Sequence, residues 1–178
     1  MYQADKIKRV LIVAPLSITP VWQQEFQKFA DFNYTAVTLD GSIEKKTDTL
    51  KKLTGTKLQV AIVNYESAWR MEKELLKYDA DIVIADEGHK IKTHTAKQSK
   101  TLHKLGAKAR YKMLLTGTVI TNKAIDVFSQ YKFINPTVFG QSFHEFSNKY
   151  FYGTGFENRT LPLRRQRKFP NATADLRI

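Results

Sequence analysis

Cysteine is absent from all 178 residues. Its absence excludes a disulfide framework and every thiolate metal site, zinc fingers included, and makes an intracellular setting the simpler reading. Long apolar runs are missing too. None approaches the ~20 residues that a membrane-spanning helix needs, and Met1 to Arg9 is polar and charged rather than leader-like. Without a leader, the glycosylation-type triplets Asn158-Arg159-Thr160 and Asn171-Ala172-Thr173 are read as chance. Acidic residues are scarce, 17 against 29 Lys and Arg, which leaves a net charge of +12. A surplus of that size suits a polyanionic partner, nucleic acid first, through release of counterions from phosphates. The expected location is cytoplasmic, or nuclear if the source has a nucleus, with no membrane association.

What is present is enough for one domain with a core, since 42% of the residues are hydrophobic. Continuous apolar runs at Val10 to Ala14, Thr35 to Leu39, Leu58 to Val63, Asp81 to Ala85 and Tyr111 to Leu115 predict five strands, and segments of helical periodicity separate them. Thr19 and Pro20 read as a helix start, with Trp22, Phe26 and Phe29 as core aromatics on one face. Gly41-Ser42 opens a helix that turns Ile43, Leu50 and Leu53 inward and leaves Lys45, Lys46, Lys51 and Lys52 facing water. One helix is expected to carry Ala68, Met71, Leu75 and Leu76, another Thr95 to Leu105, and another Lys123 to Ile134, stopped by Asn135-Pro136. Ser142 to Tyr150 reads as a shorter aromatic helix. Strands alternating with helices predict an α/β domain with a mostly parallel sheet over residues 1–151. A basic, irregular tail follows over 152–178, where Arg164, Arg165, Arg167 and Lys168 read as a solvated cluster, the alternative being a grip on phosphates.

The chemistry concentrates at Asp86-Glu87-Gly88-His89-Lys90. An apolar strand ending in two adjacent carboxylates delivers both acids to the edge where open α/β sheets bind ligands. Like charges side by side need a cation or a proton nearby, and a nucleotide-bound Mg²⁺ would supply one. Asp86 would hold that metal through water, and Glu87 would polarise the water that attacks a γ-phosphate. The plainer alternative is a solvated loop after a core strand. A zinc site on His89 and His94 needs a further ligand, which Asp86 or Glu87 would have to provide, and the spacing matches no helical i, i+4 pair.

Four stretches fall at the ends of successive strands: Ala14-Pro15-Leu16-Ser17, Asn64-Tyr65-Glu66, Asp86-Glu87-Gly88-His89 and Leu115-Thr116-Gly117-Thr118. With the helix VWQQEFQKF, the run Phe133 to Pro136 and the aromatic helix ending Lys149-Tyr150-Phe151, they resemble the first RecA-like lobe of superfamily-two helicases, and most of all the Swi/Snf-type ATPases. The resemblance covers about residues 10–151. It implies a RecA-like, P-loop NTPase type, three-layer domain with a mostly parallel central sheet, working with ATP and Mg²⁺ on double-stranded DNA beside a second RecA-like lobe. It further implies a DEGH box in which Asp86 and Glu87 are the Mg²⁺ and water-activating pair, with His89 linking the ATP site to the motif-three turn. Thr116, Gly117 and Thr118 would couple nucleotide state to DNA grip, and Pro15, Ser17, Asn64 and Tyr65 would contact the DNA backbone.

The sequence departs from that family in three places. It has no Gly, four residues, then Gly-Lys-Ser or Gly-Lys-Thr, the loop whose N–H groups and lysine hold β- and γ-phosphates. The second lobe is missing, and Val119 stands where the family commonly has proline. The expected domain is therefore incomplete at its N-terminal end, with Tyr111 to Leu115 left as an unpaired edge. The chain alone is expected not to hydrolyse ATP. It is read as a partial lobe of an ATP-driven DNA translocase, the alternative being a non-hydrolysing DNA- or partner-binding module derived from that lobe.

Overall fold

The computed structural model describes residues 7–117 and 124–151. Thr118, Val119, the Lys123 start of the expected helix and the basic tail 152–178 lie outside the described residues. The strands are β1 (Arg9–Ala14), β2 (Tyr34–Thr38), β3 (Leu58–Asn64), β4 (Ile82–Asp86) and β5 (Tyr111–Leu115). They form one five-stranded sheet in the order β2-β3-β1-β4-β5, and every pairing is parallel. β1 sits at the centre because its run Val10 to Ala14 is apolar on both faces and can be buried from both. In register, Ala14 lies opposite Asn64 and Asp86 opposite Leu115, so these strand ends reach the same edge of the sheet.

Helices cover the two faces unequally. On one face, α1 (Thr19–Phe29) lays Trp22 and Phe26 against Val10, Ile12, Val60 and Ile62. The other face carries α2 (Ile43–Lys52), α3 (Tyr65–Arg70), α4 (Glu72–Tyr78) and α5 (Lys97–Lys108). Their Leu50, Ala68, Leu75 and Leu102, with Met71 from the junction of α3 and α4, close over Leu11, Val13, Val63 and Val83. A third cluster joins α6 (Val127–Ile134) to α7 (Phe143–Tyr150) through Phe128, Phe139 and Phe146. Among the described residues no helix is long and apolar enough to cross a membrane.

Several local expectations are corrected. Thr19 is the first helical residue, not a cap; its hydroxyl donates to the Leu16 carbonyl at 2.9 Å, and Ile18 precedes the helix without a side-chain cap. Phe29 is 65% exposed, because α1 ends as it runs past the edge of the core. The helix expected through Met71 is two, α3 and α4, broken where Met71 leaves helical geometry (φ −104°, ψ 22°) and drops into the core. The helix expected from Thr95 begins at Lys97. Lys46 does not face water: it is 8% exposed, and its ammonium donates to Ser67 Oγ at 2.6 Å. By contrast Ser42, at the expected helix start, caps α2, accepting from the Lys45 N–H at 3.3 Å. β5 pairs only with β4 among the described residues, which makes it the edge strand that the family's sheet order implies.

Candidate functional site

Asp86 closes β4 and is held at three points. Its carboxylate accepts from the Trp22 indole N–H at 2.9 Å and from the Glu87 backbone N–H at 2.9 Å. Its main-chain carbonyl accepts from the Tyr65 hydroxyl at 2.6 Å. Trp22 comes from α1 and Tyr65 from the start of α3, so the acid is clamped by the helices that follow β1 and β3. The Tyr65 hydroxyl is pushed well above its usual range, by burial first and then by the nearby charges of Asp86 and Glu87. It therefore stays a proton donor to the Asp86 carbonyl at any physiological pH.

Glu87 adopts the left-handed conformation, φ 53° and ψ 56°, which is uncommon for a residue with a side chain. The bend turns the chain from β4 into a single 3₁₀ turn over Gly88–Ile91. Glu87 Oε2 then lies 3.1 Å from His89 Nδ1, both side chains being partly exposed at 46% and 34%. Gly88 is required by packing. A Cβ there would come within 2.5 Å of Leu114 Cγ, so β5 rests directly on the acid loop. A shift of the Thr116-Gly117 turn, which continues β5, would press on Gly88 through that contact.

The other residues singled out from sequence divide between built and open surroundings. Asn64 ends β3 and caps α3, its side-chain oxygen accepting from the Ser67 N–H at 2.9 Å. Pro15 is partly buried, Ser17 exposed, and Gly117 exposed. Pro15, Asn64 and Tyr65 line one open cavity of about 640 Å³ at the C-terminal edge of the sheet. His94 does not join His89: its ring stacks on Phe143, with centroids 4.0 Å apart, in the aromatic cluster. Among the described residues no three His, Asp or Glu side chains are grouped to hold a metal ion, so the zinc alternative gains no third ligand. Asp86 and Glu87 are hard oxygen donors, and one or two carboxylates with the rest of the shell from water and phosphate is the donor set Mg²⁺ takes. The two N–H bonds to Asp86 still leave its oxygens lone pairs for water.

Two contributors escaped the sequence reading. Helical spacing places Trp22 in the core alone, but an indole N–H shielded from water needs an acceptor, and that need is the signal for its bond to Asp86. Lys46 reads from its charge as facing water. It falls three residues after Ile43 and four before Leu50, which places it on the apolar stripe of α2.

The model of the SNF2-related domain family matches residues 1–163. A probable ATP-dependent DNA helicase of Arabidopsis thaliana, CHR23, is 37% identical over 136 residues, 76% of this chain and 12% of the relative. The ATP-dependent helicase brm of Drosophila melanogaster is 32% identical over 147 residues, 82% of this chain and 9% of the relative. Among solved structures, the Sulfolobus solfataricus SWI2/SNF2 ATPase core in complex with dsDNA superposes with a TM-score of 0.67 and 27% identity. That likeness covers 84% of this chain and 29% of the archaeal one.

Proposed function

Because this chain belongs to the SNF2 family, with a RecA-like parallel sheet like that of the SWI2/SNF2 ATPase core, we propose that it forms part of the first lobe of an ATP-dependent double-stranded DNA translocase. The chain spans 12% of the plant relative's length and 9% of the fly relative's. On this reading it supplies the acid pair and one side of the DNA track, while the phosphate-binding loop and the second RecA-like lobe come from elsewhere. An intracellular, DNA-associated location goes with it.

The observation that carries the reading is the three-point hold on Asp86. Trp22 and Tyr65 stand on the helices that begin just past Pro15-Ser17 and at Asn64, the proposed backbone contacts. A duplex pressing on those loops therefore acts on the acid through two hydrogen bonds rather than through a long chain of packing. Asp86 would hold Mg²⁺ through water, and that ion, when bound, neutralises phosphate charge. Glu87, turned outward by its left-handed backbone, orients and polarises the attacking water, and His89 fixes the Glu87 carboxylate from 3.1 Å. Leu114 on Gly88 carries the state of the Thr116-Gly117 segment, which continues β5, to the same loop. Nothing in the 178 residues supplies the Gly-Lys-Ser or Gly-Lys-Thr cradle for β- and γ-phosphates, so no step of hydrolysis is assigned to this chain by itself.

Titration of fluorescent duplexes of unrelated sequence at stepped salt tests the reading. Weak binding that ignores sequence and falls steeply with salt is expected, because phosphate contacts carry affinity without reading bases. Equal affinity across a wide salt range, or none at 50 mM, would count against it.

A further inference from the structure

The acid pair lies at one end of the strands, and a separate cavity lies at the other. Arg9 faces Gln59 where the β1–β3 pairing begins, and Ala14 faces Asn64 where it ends, so roughly 17 Å of strand separates the two edges. At the Arg9 edge α2 and α4 both end, and their last turns, with the loop that follows α2, enclose an open cavity of about 590 Å³. Its floor is apolar: Leu50, Leu53 and Tyr78 line it, each at most 7% exposed. The Tyr78 hydroxyl is spent inside the fold, donating to the Gln59 carbonyl at 3.0 Å. The Gln59 side-chain amide donates to the Gly55 carbonyl at 2.7 Å, which ties the loop down as a wall.

The rim is basic. Lys8, Arg9, Lys51 and Lys77 line the cavity against the single carboxylate of Glu74. Arg9 is held by the Tyr78 carbonyl at 2.6 Å, and Lys51 reaches only Asp48, at 3.7 Å on an open surface. Among the described residues Lys8 and Lys77 form no ion pair. Cations in the last turn of a helix complement its dipole, which accounts for Lys51 and Lys77. That account covers neither Lys8, which stands on no helix, nor an apolar floor beneath so much positive charge.

Floor and rim together select the ligand. A duplex presents phosphates and sugars with its bases stacked inside, so it would meet the cations and bring nothing apolar to the floor. An acidic peptide with one aromatic or aliphatic side chain supplies both, and an apolar anchor seated within a polar rim is where protein interfaces concentrate their affinity. We propose that this cavity docks an acidic protein segment, which seats one apolar side chain on Leu50, Leu53 and Tyr78 and sets its carboxylates against Lys8, Lys51 and Lys77. The site does not rest on the duplex-DNA reading, since it uses none of Pro15, Ser17, Asn64 or Tyr65 and opens at the opposite edge of the sheet. A segment bound there leaves the DNA track free.

The test is the fluorescence anisotropy of two labelled peptides titrated with the 178-residue chain: Glu-Asp-Glu-Phe-Glu-Asp-Glu, and the same peptide with serine in place of phenylalanine. The phenylalanine peptide is expected to bind roughly tenfold more tightly, the worth of burying one such side chain. Lys77→Glu should weaken it roughly fivefold, while Lys28→Glu, the same change of charge on α1, leaves it nearly unchanged. Equal affinity for the two peptides, or equal losses in the two variants, would reduce the effect to net charge and overturn the proposal. Unlabelled duplex that displaces the phenylalanine peptide from the wild type, and itself loses affinity as much with Lys77→Glu, would assign the cavity to nucleic acid and overturn it too. A second arm needs no variant. The ¹³C methyl signals of Leu50 and Leu53 are followed in the wild type as each peptide is added. Saturable shifts with the phenylalanine peptide alone support the docking site whether or not duplex DNA binds, and an absence of shifts with it overturns the proposal.

Discussion

β1 and β5 lie two places apart in one sheet and live in different surroundings. Five of the six residues of β1 are buried, whereas no residue of β5 is, and Met113 is 45% exposed. β1 has a strand on each side and helices on both faces, while among the described residues β5 pairs with β4 alone. The difference teaches that a parallel strand is buried by its neighbours rather than by its own composition, since Met113-Leu114-Leu115 is as apolar as much of β1. The acid loop lies between the two regimes: Asp86 is fixed from the buried side by Trp22 and Tyr65, and Gly88 is fixed from the exposed side by Leu114.

The contrast is broken most sharply in the core. Ile12→Ala, at a fully buried position of β1, is expected to cost about 2–5 kcal/mol in urea unfolding, against under about 1 kcal/mol for Met113→Ala in β5. Comparable losses at the two positions would mean that β5 is covered in solution. Next comes the contact that joins the edge to the site. Gly88→Ala forces Leu114 aside and should cost about 1–3 kcal/mol, much of it recovered in the double variant with Leu114→Ala. Simple additivity of the two changes would show that the contact is not what Gly88 is needed for. On the buried side, Trp22→Phe keeps the ring and removes the N–H donated to Asp86, for an expected loss of about 1 kcal/mol. An unchanged urea midpoint would mean that water replaces the indole at no cost.

The smallest effect expected is one of pH. His103 on α5 is held below the ordinary histidine range, by burial first, then by the charges of Lys132 and His94 against the opposing bond to the Ser129 carbonyl. A depressed folded value contributes stability above the unfolded value, near pH 6.5, which is lost as pH falls through the lower folded value. The wild-type urea midpoint should therefore decline between pH 7 and 5 more steeply than that of His103→Gln, and parallel curves would remove His103 from the account.

Much of this was legible in the residues. The strands were, because continuous apolar runs bounded by polar turns permit little else, and Tyr111 to Leu115 was placed to the residue. The meeting of Pro15, Asn64 and Asp86 at one sheet edge followed from parallel strands alone. What escaped were side chains whose polar tip and apolar body obey different rules. Lys46 counts as charged in any binary pattern, so its place on the α2 stripe was passed over; Trp22 counts as apolar, so its N–H was. Phe29 failed in the opposite sense, since helical spacing says which side a residue faces but not whether the core still lies beneath it. Nor could periodicity show that Glu87 takes a left-handed backbone or that Leu114 of β5 packs on Gly88, because both are set by how the chain turns out of β4 into the 3₁₀ turn.

On the function proposed above, this chain carries the acid pair and a DNA track, and its 178 residues contain no Gly-Lys-Ser or Gly-Lys-Thr cradle for the nucleotide's phosphates. Phosphate release from ATP by the 178-residue chain, with and without duplex DNA, tests that most directly. No turnover above background in either condition is the expected result, alongside salt-sensitive duplex binding. DNA-stimulated turnover that Glu87→Gln abolishes would contradict it, and would mean that these residues complete an ATP site unaided.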